Sequence, residues 1–134
     1  MTSKLAEPYL DSIVENLKLL ESVKSQVSAR DIENLENDSS HKLPNALRAQ
    51  LVYYLALIAE GTNVLIGTTD RPGLAPDWFD AEEITVCKKL IGLRNVMLHG
   101  YLSSANDAAF WANINSGNYR VFVAAISRLA KLHL

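Results

Sequence analysis

Apolar residues recur every three or four positions through most of the chain, which is the spacing of one face of an α-helix. The first such stretch predicts a helix from about Leu5 to Ser28, and Pro8 suits the first turn of that helix. The next residues, 29–44, are mostly polar, and within them Ile32 and Leu35 predict no more than one short helical turn. The first third of the sequence therefore predicts one long helix followed by a connection.

The middle of the chain predicts two further long helices. The second helix begins near Pro44 and runs to about Ile66, and the glycines and prolines of residues 67–78 indicate a loop. Asp80 then precedes Glu83 by three residues, which is the spacing of a capping box at the start of a helix. The third helix extends from there to about Leu102.

The last part of the chain predicts a short helix and a final long one. Phe110, Trp111 and Ile114 lie on the short helix, residues 115–118 interrupt it, and apolar residues follow with helical spacing to Leu132. No segment alternates between apolar and polar residues with the period of a strand. The expected fold is all-α, a four-helix bundle with an additional short helix and no sheet, in a single domain of residues 1–134.

Composition is consistent with one globular domain. The 134 residues are 49% hydrophobic and 21% charged, and a chain of this length forms one core. The longest uninterrupted apolar run has nine residues, Leu51 to Ala59, whereas a membrane span needs about 20. We therefore expect no membrane helix. The single cysteine, Cys87, has no partner for an internal disulfide, which favours the cytoplasm.

Charge and motif searches exclude several kinds of site. The net charge of −2 argues weakly against nucleic acid binding over a broad surface, but it leaves room for a local basic site. The three histidines, His41, His99 and His133, are not spaced as metal ligands, so we expect no metal. No glycine-rich phosphate-binding loop is present in the sequence, and no cofactor is expected.

One segment of the third helix carries an unusual density of polar side chains. Arg94, Asn95, His99 and Tyr101 fall within an arc of about 160° at the helical rotation of about 100° per residue. They can therefore line one wall of a cleft. Polar groups placed against a core are costly unless they are paired or used. In a purely structural interpretation, Arg94 and Tyr101 cap the edge of the bundle and His99 is a satisfied, partly buried histidine.

The run Arg94-x4-His99-x-Tyr101 resembles the signature of HEPN-domain ribonucleases, in particular the HepT-like toxins that are paired with small nucleotidyltransferase (MNT) antitoxins. The resemblance covers most of the chain, and Glu60 is similar to the acidic position on the second helix of that family. Trp78, Gly92 and Trp111 also stand where the family has similar residues. The resemblance implies a HEPN-like helical domain that forms a homodimer and cleaves RNA without a metal.

The residue types fit such a reaction. The imidazole of His99 can act as base and acid because both of its protonation states are populated near neutral pH. The planar, permanently charged guanidinium of Arg94 suits the phosphoryl oxygens, and Asn95 completes the catalytic set. One histidine is few for a reaction that needs both a base and an acid, so a two-fold dimer that brings two motifs together would supply the second. The expected products carry a 2′,3′-cyclic phosphate and a 5′-hydroxyl.

The resemblance also implies a means of control. In the family, the MNT antitoxin transfers AMP from ATP onto the tyrosine of the motif, here Tyr101. A phenol would become a phosphodiester that carries a negative charge and a bulky nucleoside, and this group would occupy Arg94 and repel RNA phosphates. We therefore expect a toxin that its antitoxin neutralises by AMPylation.

Several assignments have two interpretations. Glu60 either holds the guanidinium of Arg94, for which we expect buried surroundings, or is an exposed helix carboxylate. Lys88 and Lys89 either add positive charge toward phosphates or belong to a solvated face. Cys87 is expected to be a core residue, and the aromatic residues Trp78, Phe110 and Trp111 are expected to pack rather than to stack on bases. The alternative function is a non-catalytic helical module that binds nucleotide or protein through the same cleft.

Overall fold

The protein is all-helical. The computed structural model describes the backbone of residues 2–102 and 106–134, and the side chains of residues 4–98 and 106–134. Helix makes up 78% of the structure, and the described residues contain no strand or sheet. The six helices are α1 (Thr2–Lys24), α2 (Ala29–Asn37), α3 (Asn45–Ile66), α4 (Ala81–Leu102), α5 (Asp107–Asn113) and α6 (Gly117–His133). The prediction of an all-α protein is confirmed.

The first helix is displaced toward the N-terminus relative to the prediction. It ends at Lys24 rather than Ser28, because Ser28 caps the next helix: its Oγ accepts a hydrogen bond from the backbone N–H of Asp31 at 3.0 Å. Pro8 lies inside α1 rather than in its first turn, since the helix already begins at Thr2. Pro8 is exposed, and because proline has no backbone N–H it cannot donate a hydrogen bond within the helix.

The polar connection after α1 contains a true helix rather than one short turn. The nine residues of α2 are capped at the start by Ser28, and Leu35 on this helix is 5% exposed. A hydrogen bond of 2.9 Å between His41 Nε2 and Asp31 Oδ1 ties the segment that follows α2 back to its first turn. Capping and the burial of one leucine therefore outweigh the polar composition.

The four long helices enclose the core. The principal contacts of α1 are with α3 and α6, and those of α4 are likewise with α3 and α6. Helices α1 and α3 approach closely at Gly61, where an added Cβ would lie 2.9 Å from Cγ1 of Ile13. The largest fully buried side chains come from α1, α3 and α6 and from α5 with the residue that follows it: Leu10, Ile13, Leu20, Leu51, Leu55, Ile58, Leu65, Phe110, Ile114, Phe122, Ile126 and Leu129.

Helix α3 is largely apolar. This helix of 22 residues is long and apolar enough to cross a membrane, judged by length and composition alone, and its most apolar stretch has a mean hydropathy of 1.3. Its longest uninterrupted apolar run nevertheless has only nine residues. The expectation of no membrane helix stays a prediction, because a core helix can have the same length and composition. In the folded chain, 44% of the most apolar stretch of α3 is buried, and Leu51, Leu55 and Leu65 belong to the core.

The chain reverses between α3 and α4 in a tight loop. Gly67 ends α3 with φ of 82°, and a Cβ at this position would lie 2.2 Å from the backbone nitrogen of Gly73. The loop then runs back along the end of α3, where the N–H of Ala75 donates to the carbonyl of Leu65 at 2.9 Å. A single 3-10 turn, Pro76–Trp78, leads into α4.

The predicted capping box at the start of α4 is confirmed. The N–H of Glu83 donates to Asp80 Oδ1 at 2.8 Å, and the N–H of Asp80 donates to Glu83 Oε1 at 2.9 Å. Glu83 also forms an ion pair with Arg128 of α6, and this hydrogen-bonded guanidinium lowers the pKa of the Glu83 carboxyl. Arg128 Nη2 donates to the carbonyl of Trp78 at 2.9 Å, so the start of α4 is fastened to α6.

A buried ion pair fastens α5 to the start of α3. Asp107, the first residue of α5, is 0% exposed and accepts hydrogen bonds from Arg48 Nε at 2.8 and 2.9 Å and from the N–H of Leu43 at 2.8 Å. Arg48 Nη2 lies 2.7 Å from Asp107 Oδ2 and also donates to the carbonyl of Leu43 at 2.9 Å. A buried charge with this many donors is fully compensated.

We expect Asp107→Ala to lower the free energy of unfolding by about 3–5 kcal/mol, because it removes the buried carboxylate that pairs with the guanidinium of Arg48 and accepts from the N–H of Leu43. Urea unfolding followed by far-UV circular dichroism measures the change. Asp70→Ala, the same substitution in the exposed α3–α4 loop, should alter stability by no more than about 0.5 kcal/mol. A loss below about 1 kcal/mol in Asp107→Ala would contradict a stabilising role for the pair.

Candidate functional site

The polar segment singled out in the sequence lies in the second half of α4. The backbone is helical from Arg94 through His99 and Tyr101 to Leu102. The side chains of His99 and Tyr101 lie outside the described residues, so their placement relative to Arg94 stays a prediction from helical geometry. The site is therefore described from Arg94, Asn95 and the residues of α3 that face them.

Arg94 is held between its neighbour on α4 and a carboxylate on α3. Its Nη1 donates to Asn95 Oδ1 at 2.9 Å, and its Nη2 lies 3.3 Å from Glu60 Oε1. The contact expected between Arg94 and Glu60 is therefore present. The buried surroundings expected for Glu60 are absent, since its side chain is 60% exposed and that of Arg94 is 28% exposed. The ion pair orients the guanidinium at the surface.

The guanidinium of Arg94 keeps unused hydrogen-bonding capacity. Arginine has five N–H donors, and the bonds to Glu60 and Asn95 are made by the two terminal nitrogens. Arg94 Nε is buried and is the one buried side-chain nitrogen or oxygen without a hydrogen-bond partner in the part of the chain that the structure describes. The two terminal nitrogens carry four N–H groups, of which these bonds use two, so the exposed end of the guanidinium can still bind an anion.

Arg94 has this position because α4 packs against α3 on one side and is exposed on the other. Cys87, Leu90 and Met97 face the core, whereas Asn95 and Val96 are exposed. Arg94 lies between the two faces, on the side of α3. Its charged end can then reach solvent while its carbon chain stays partly covered.

Two exposed apolar side chains follow Arg94 on α4. Val96 is 66% exposed and Leu98 is 40% exposed, whereas Met97 between them is 4% exposed. Leu98 lies one turn beyond Arg94 on the same face of α4, whereas Val96 lies on the opposite side of the helix.

Three cavities are formed elsewhere by the described residues. The first, of about 300 Å³, lies between α4 and α6; the second, of about 570 Å³, lies between α3, the α3–α4 loop and α4; the third, of about 570 Å³, lies between α1 and α6. Neither Arg94 nor Asn95 lines any of them. Arg94 is therefore partly exposed outside these three cavities.

The remaining candidates separate into packing residues and solvated residues. Cys87 is 1% exposed, and burial raises the pKa of its thiol to about 12, so it is a core residue as expected and no thiolate nucleophile. Phe110 is fully buried, and Trp78 is half-buried with its ring stacked on that of His133 at 4.2 Å between centroids. Lys88 and Lys89 are both exposed. In the described parts of the chain no three His, Cys, Asp or Glu side chains form a group that could hold a metal.

One polar cluster was not anticipated from the sequence. Tyr119 of α6 donates its hydroxyl to Glu21 of α1, and burial together with this carboxylate raises the pKa of the phenol. Lys24 Nζ lies 4.4 Å from the centre of the Tyr119 ring and donates to the carbonyl of Ile114 at 2.8 Å. These residues join α1 to α6, and Glu21 and Tyr119 are 98 residues apart in the sequence. No local sequence pattern predicts such a contact.

Comparison with known proteins yields no match: no protein-family model, no curated protein and no solved structure is similar to this chain. The resemblance to HEPN ribonucleases therefore stays a prediction from the residues of the motif.

We expect Glu60→Ala and Arg94→Ala each to change the free energy of unfolding by about 1 kcal/mol or less, because the Glu60 carboxylate is 60% exposed and solvent screens its contact with the guanidinium. Thermal or urea unfolding measures this. Glu83→Ala is the matched control, since Glu83 also pairs with an arginine but is 10% exposed and caps α4. It should cost clearly more than the exposed pair. A large loss in Arg94→Ala would make Arg94 a structural residue.

Proposed function

We propose that the protein is a metal-independent endoribonuclease of the HEPN type and the toxin of a toxin–antitoxin pair. In this proposal α1, α3, α4 and α6 form the HEPN-like four-helix bundle, and α4 carries the active site. The observation that carries the proposal is the state of Arg94: the Arg-x4-His-x-Tyr arginine is oriented by Glu60 and Asn95, is partly exposed, and keeps an unpaired buried Nε.

Arg94 is the phosphate-binding residue in this reaction. Its fork holds the non-bridging oxygens of the scissile phosphate and stabilises the charge that accumulates there in the transition state. Asn95 keeps the fork oriented through its Oδ1 and has its amide nitrogen free to donate to the same phosphate.

His99 supplies the proton transfers. As a base it takes the proton from the 2′-hydroxyl, whose oxygen attacks the neighbouring phosphorus, and the bond from phosphorus to the 5′-oxygen breaks. The leaving oxygen takes a proton from an imidazolium, and the products are a 2′,3′-cyclic phosphate and a 5′-hydroxyl. The second imidazole is the His99 of another copy of the chain.

A homodimer is supported by the surface around the motif. Leu98 lies one turn after Arg94 on the same face of α4 and is 40% exposed, and a two-fold contact through this face would cover it. The same contact would turn the partly exposed surface at Arg94 into a cleft with two motifs. It would also concentrate two positive charges in a protein whose net charge is −2.

The proposed partner is an MNT nucleotidyltransferase antitoxin that transfers AMP onto Tyr101, and the proposed compartment is the cytoplasm, where both RNA and ATP are available. AMPylation would place a negative phosphodiester on the helix that carries Arg94. The added group competes with RNA for the guanidinium and repels the backbone of the substrate.

We expect Arg94→Ala and His99→Ala each to reduce RNA cleavage by a factor on the order of 10² or more, as the loss of an acid–base group or of a charge stabiliser does. Purified wild-type and variant proteins are incubated with RNA in EDTA, and product ends are assigned from their 2′,3′-cyclic phosphates. Far-UV circular dichroism and melting temperature should remain near wild type. Equal or absent cleavage in wild type and both variants would favour the non-catalytic nucleotide- or protein-binding module instead.

The shared site has its own control within this experiment. Mixing equal amounts of wild-type and His99→Ala subunits should leave about a quarter of the wild-type activity per chain, the share of dimers with two wild-type subunits, because every mixed dimer lacks one of the two imidazoles. A protein that is monomeric by light scattering and still cleaves RNA would contradict the dimeric site.

We expect co-expression with the cognate nucleotidyltransferase to add one or more AMP masses to the intact protein, mapped to Tyr101 by peptide mass spectrometry. Tyr101→Phe should lose both the added mass and the inhibition by the partner. Tyr53→Phe is a suitable control, since Tyr53 is an exposed tyrosine on α3 outside the motif. Modification at another residue, or full inhibition of Tyr101→Phe, would mean that the partner acts by occlusion.

A further inference from the structure

The cavity between α3 and α4 lies on the same pair of helices as Arg94 and Glu60. Its α4 wall includes Ile91 and Lys88, which precede Arg94 by three and six residues, and its α3 wall includes Asn63, which follows Glu60 by three. At 1.5 Å per helical residue, Lys88 is about 9 Å from Arg94 along the axis. Residues three apart on a helix are neighbours on its surface. The cavity therefore continues the surface that holds Arg94.

The lining of this cavity combines an apolar floor with polar groups at its edge. The half-buried side chains of Ile66, Ile84 and Ile91 provide the floor, and Asn63, Thr69 and Lys88 provide the polar groups. The volume of about 570 Å³ is within the range of small-molecule sites. Such a lining suits a flat, mostly apolar ring with polar edges that is joined to an anion.

The polar groups are available to a ligand. In the described part of the chain, the side chains of Asn63, Thr69 and Lys88 form no hydrogen bond and no ion pair. The Asn63 amide can donate and accept at once, as the edge of a nucleobase requires. Lys88 provides a compact positive charge for a phosphate. Glu60, the acidic side chain one turn before Asn63, is already paired with Arg94.

We infer that this cavity is a nucleotide subsite, which holds a base of single-stranded RNA on the isoleucine floor while Lys88 binds a phosphate of the nucleotide next to the scissile one. This inference rests on the proposed ribonuclease function, and it assigns the α3–α4 groove as the path of the substrate away from Arg94. Lys88 is a binding residue here and takes no part in the chemical step.

The adjacent lysine supplies a matched control. Lys89 is also exposed and carries the same charge, but it lines the cavity between α4 and α6 instead. Lys88→Ala and Lys89→Ala therefore change net charge equally at neighbouring positions of one helix. Asn63→Leu and Asn118→Leu form a second matched pair, since Asn118 also lines the α4–α6 cavity.

The test measures binding separately from cleavage. A fluorescent single-stranded RNA oligonucleotide with 2′-O-methyl groups cannot form the cyclic phosphate, and its Kd is followed by anisotropy at several salt concentrations. We expect Lys88→Ala to raise Kd by about 5- to 10-fold at low salt and to reduce the salt slope of log K by about 0.7, the contribution of one phosphate contact on a single strand. Lys89→Ala should leave both values near wild type. With cleavable RNA, Lys88→Ala should raise KM and leave kcat unchanged.

Asn63→Leu should reduce the differences in Kd among oligonucleotides of different base, whereas Asn118→Leu should preserve them. If Lys88→Ala and Lys89→Ala change Kd equally, or if Lys88→Ala leaves Kd unchanged, the subsite is overturned. The proposed ribonuclease function is then still supported, provided that the wild-type protein cleaves RNA. Binding that depends on Lys88 without cleavage by wild type would support the subsite and overturn the ribonuclease. A wild-type protein that binds none of the oligonucleotides would overturn both.

Discussion

The reversal of the chain between α3 and α4 is the constraint on which the candidate site depends. Gly67 ends α3 in a backbone conformation that favours glycine, and its closeness to Gly73 leaves no room for a Cβ at either residue. The hydrogen bond from Ala75 to Leu65 returns the loop along the helix that it has just left. The contact between Glu60 on α3 and Arg94 on α4, 34 residues apart in sequence, follows from this register.

The start of α4 is fixed independently of that loop. Glu83 completes a capping box with Asp80 and at the same time pairs with Arg128, which also binds the carbonyl of Trp78. One carboxylate thus ends the loop, begins the helix and connects it to α6. Farther along α4, Leu90 and Met97 hold the helix against the core.

Among the described residues, three arginine–carboxylate pairs differ in how accessible the carboxylate is and in how fully the guanidinium is paired. The side chain of Asp107 is 0% exposed and that of Glu83 is 10% exposed, so the guanidinium groups of Arg48 and Arg128 face carboxylates that solvent hardly reaches. The partner of Arg94 is 60% exposed, and its guanidinium has a longer ion-pair contact of 3.3 Å and an unpaired Nε. A weakly held partner is easily exchanged for a phosphate, whereas a buried one is not. The physical contrast among these pairs favours Arg94 as the ligand-binding arginine.

Local sequence was sufficient to predict the long helices and to locate the polar segment of α4. Apolar periodicity predicted the four long helices, the spacing of Asp80 and Glu83 predicted the cap, and the density of polar groups from Arg94 to Tyr101 marked the segment as unusual. These features depend on residues within a few positions of one another, where the helical repeat alone decides which side chains are neighbours.

Other properties were decided by contacts between distant residues. The polar stretch after α1 forms a helix because Leu35 is buried and Ser28 caps it, and Glu60 is exposed although its helix is largely apolar. The pairing of Arg48 with Asp107 and of Tyr119 with Glu21, like the cavity between α3 and α4, brings together residues that only packing makes neighbours. Local periodicity fixes the face on which a side chain lies, but tertiary structure alone decides what covers that face, because burial and charge pairing depend on the helices opposite.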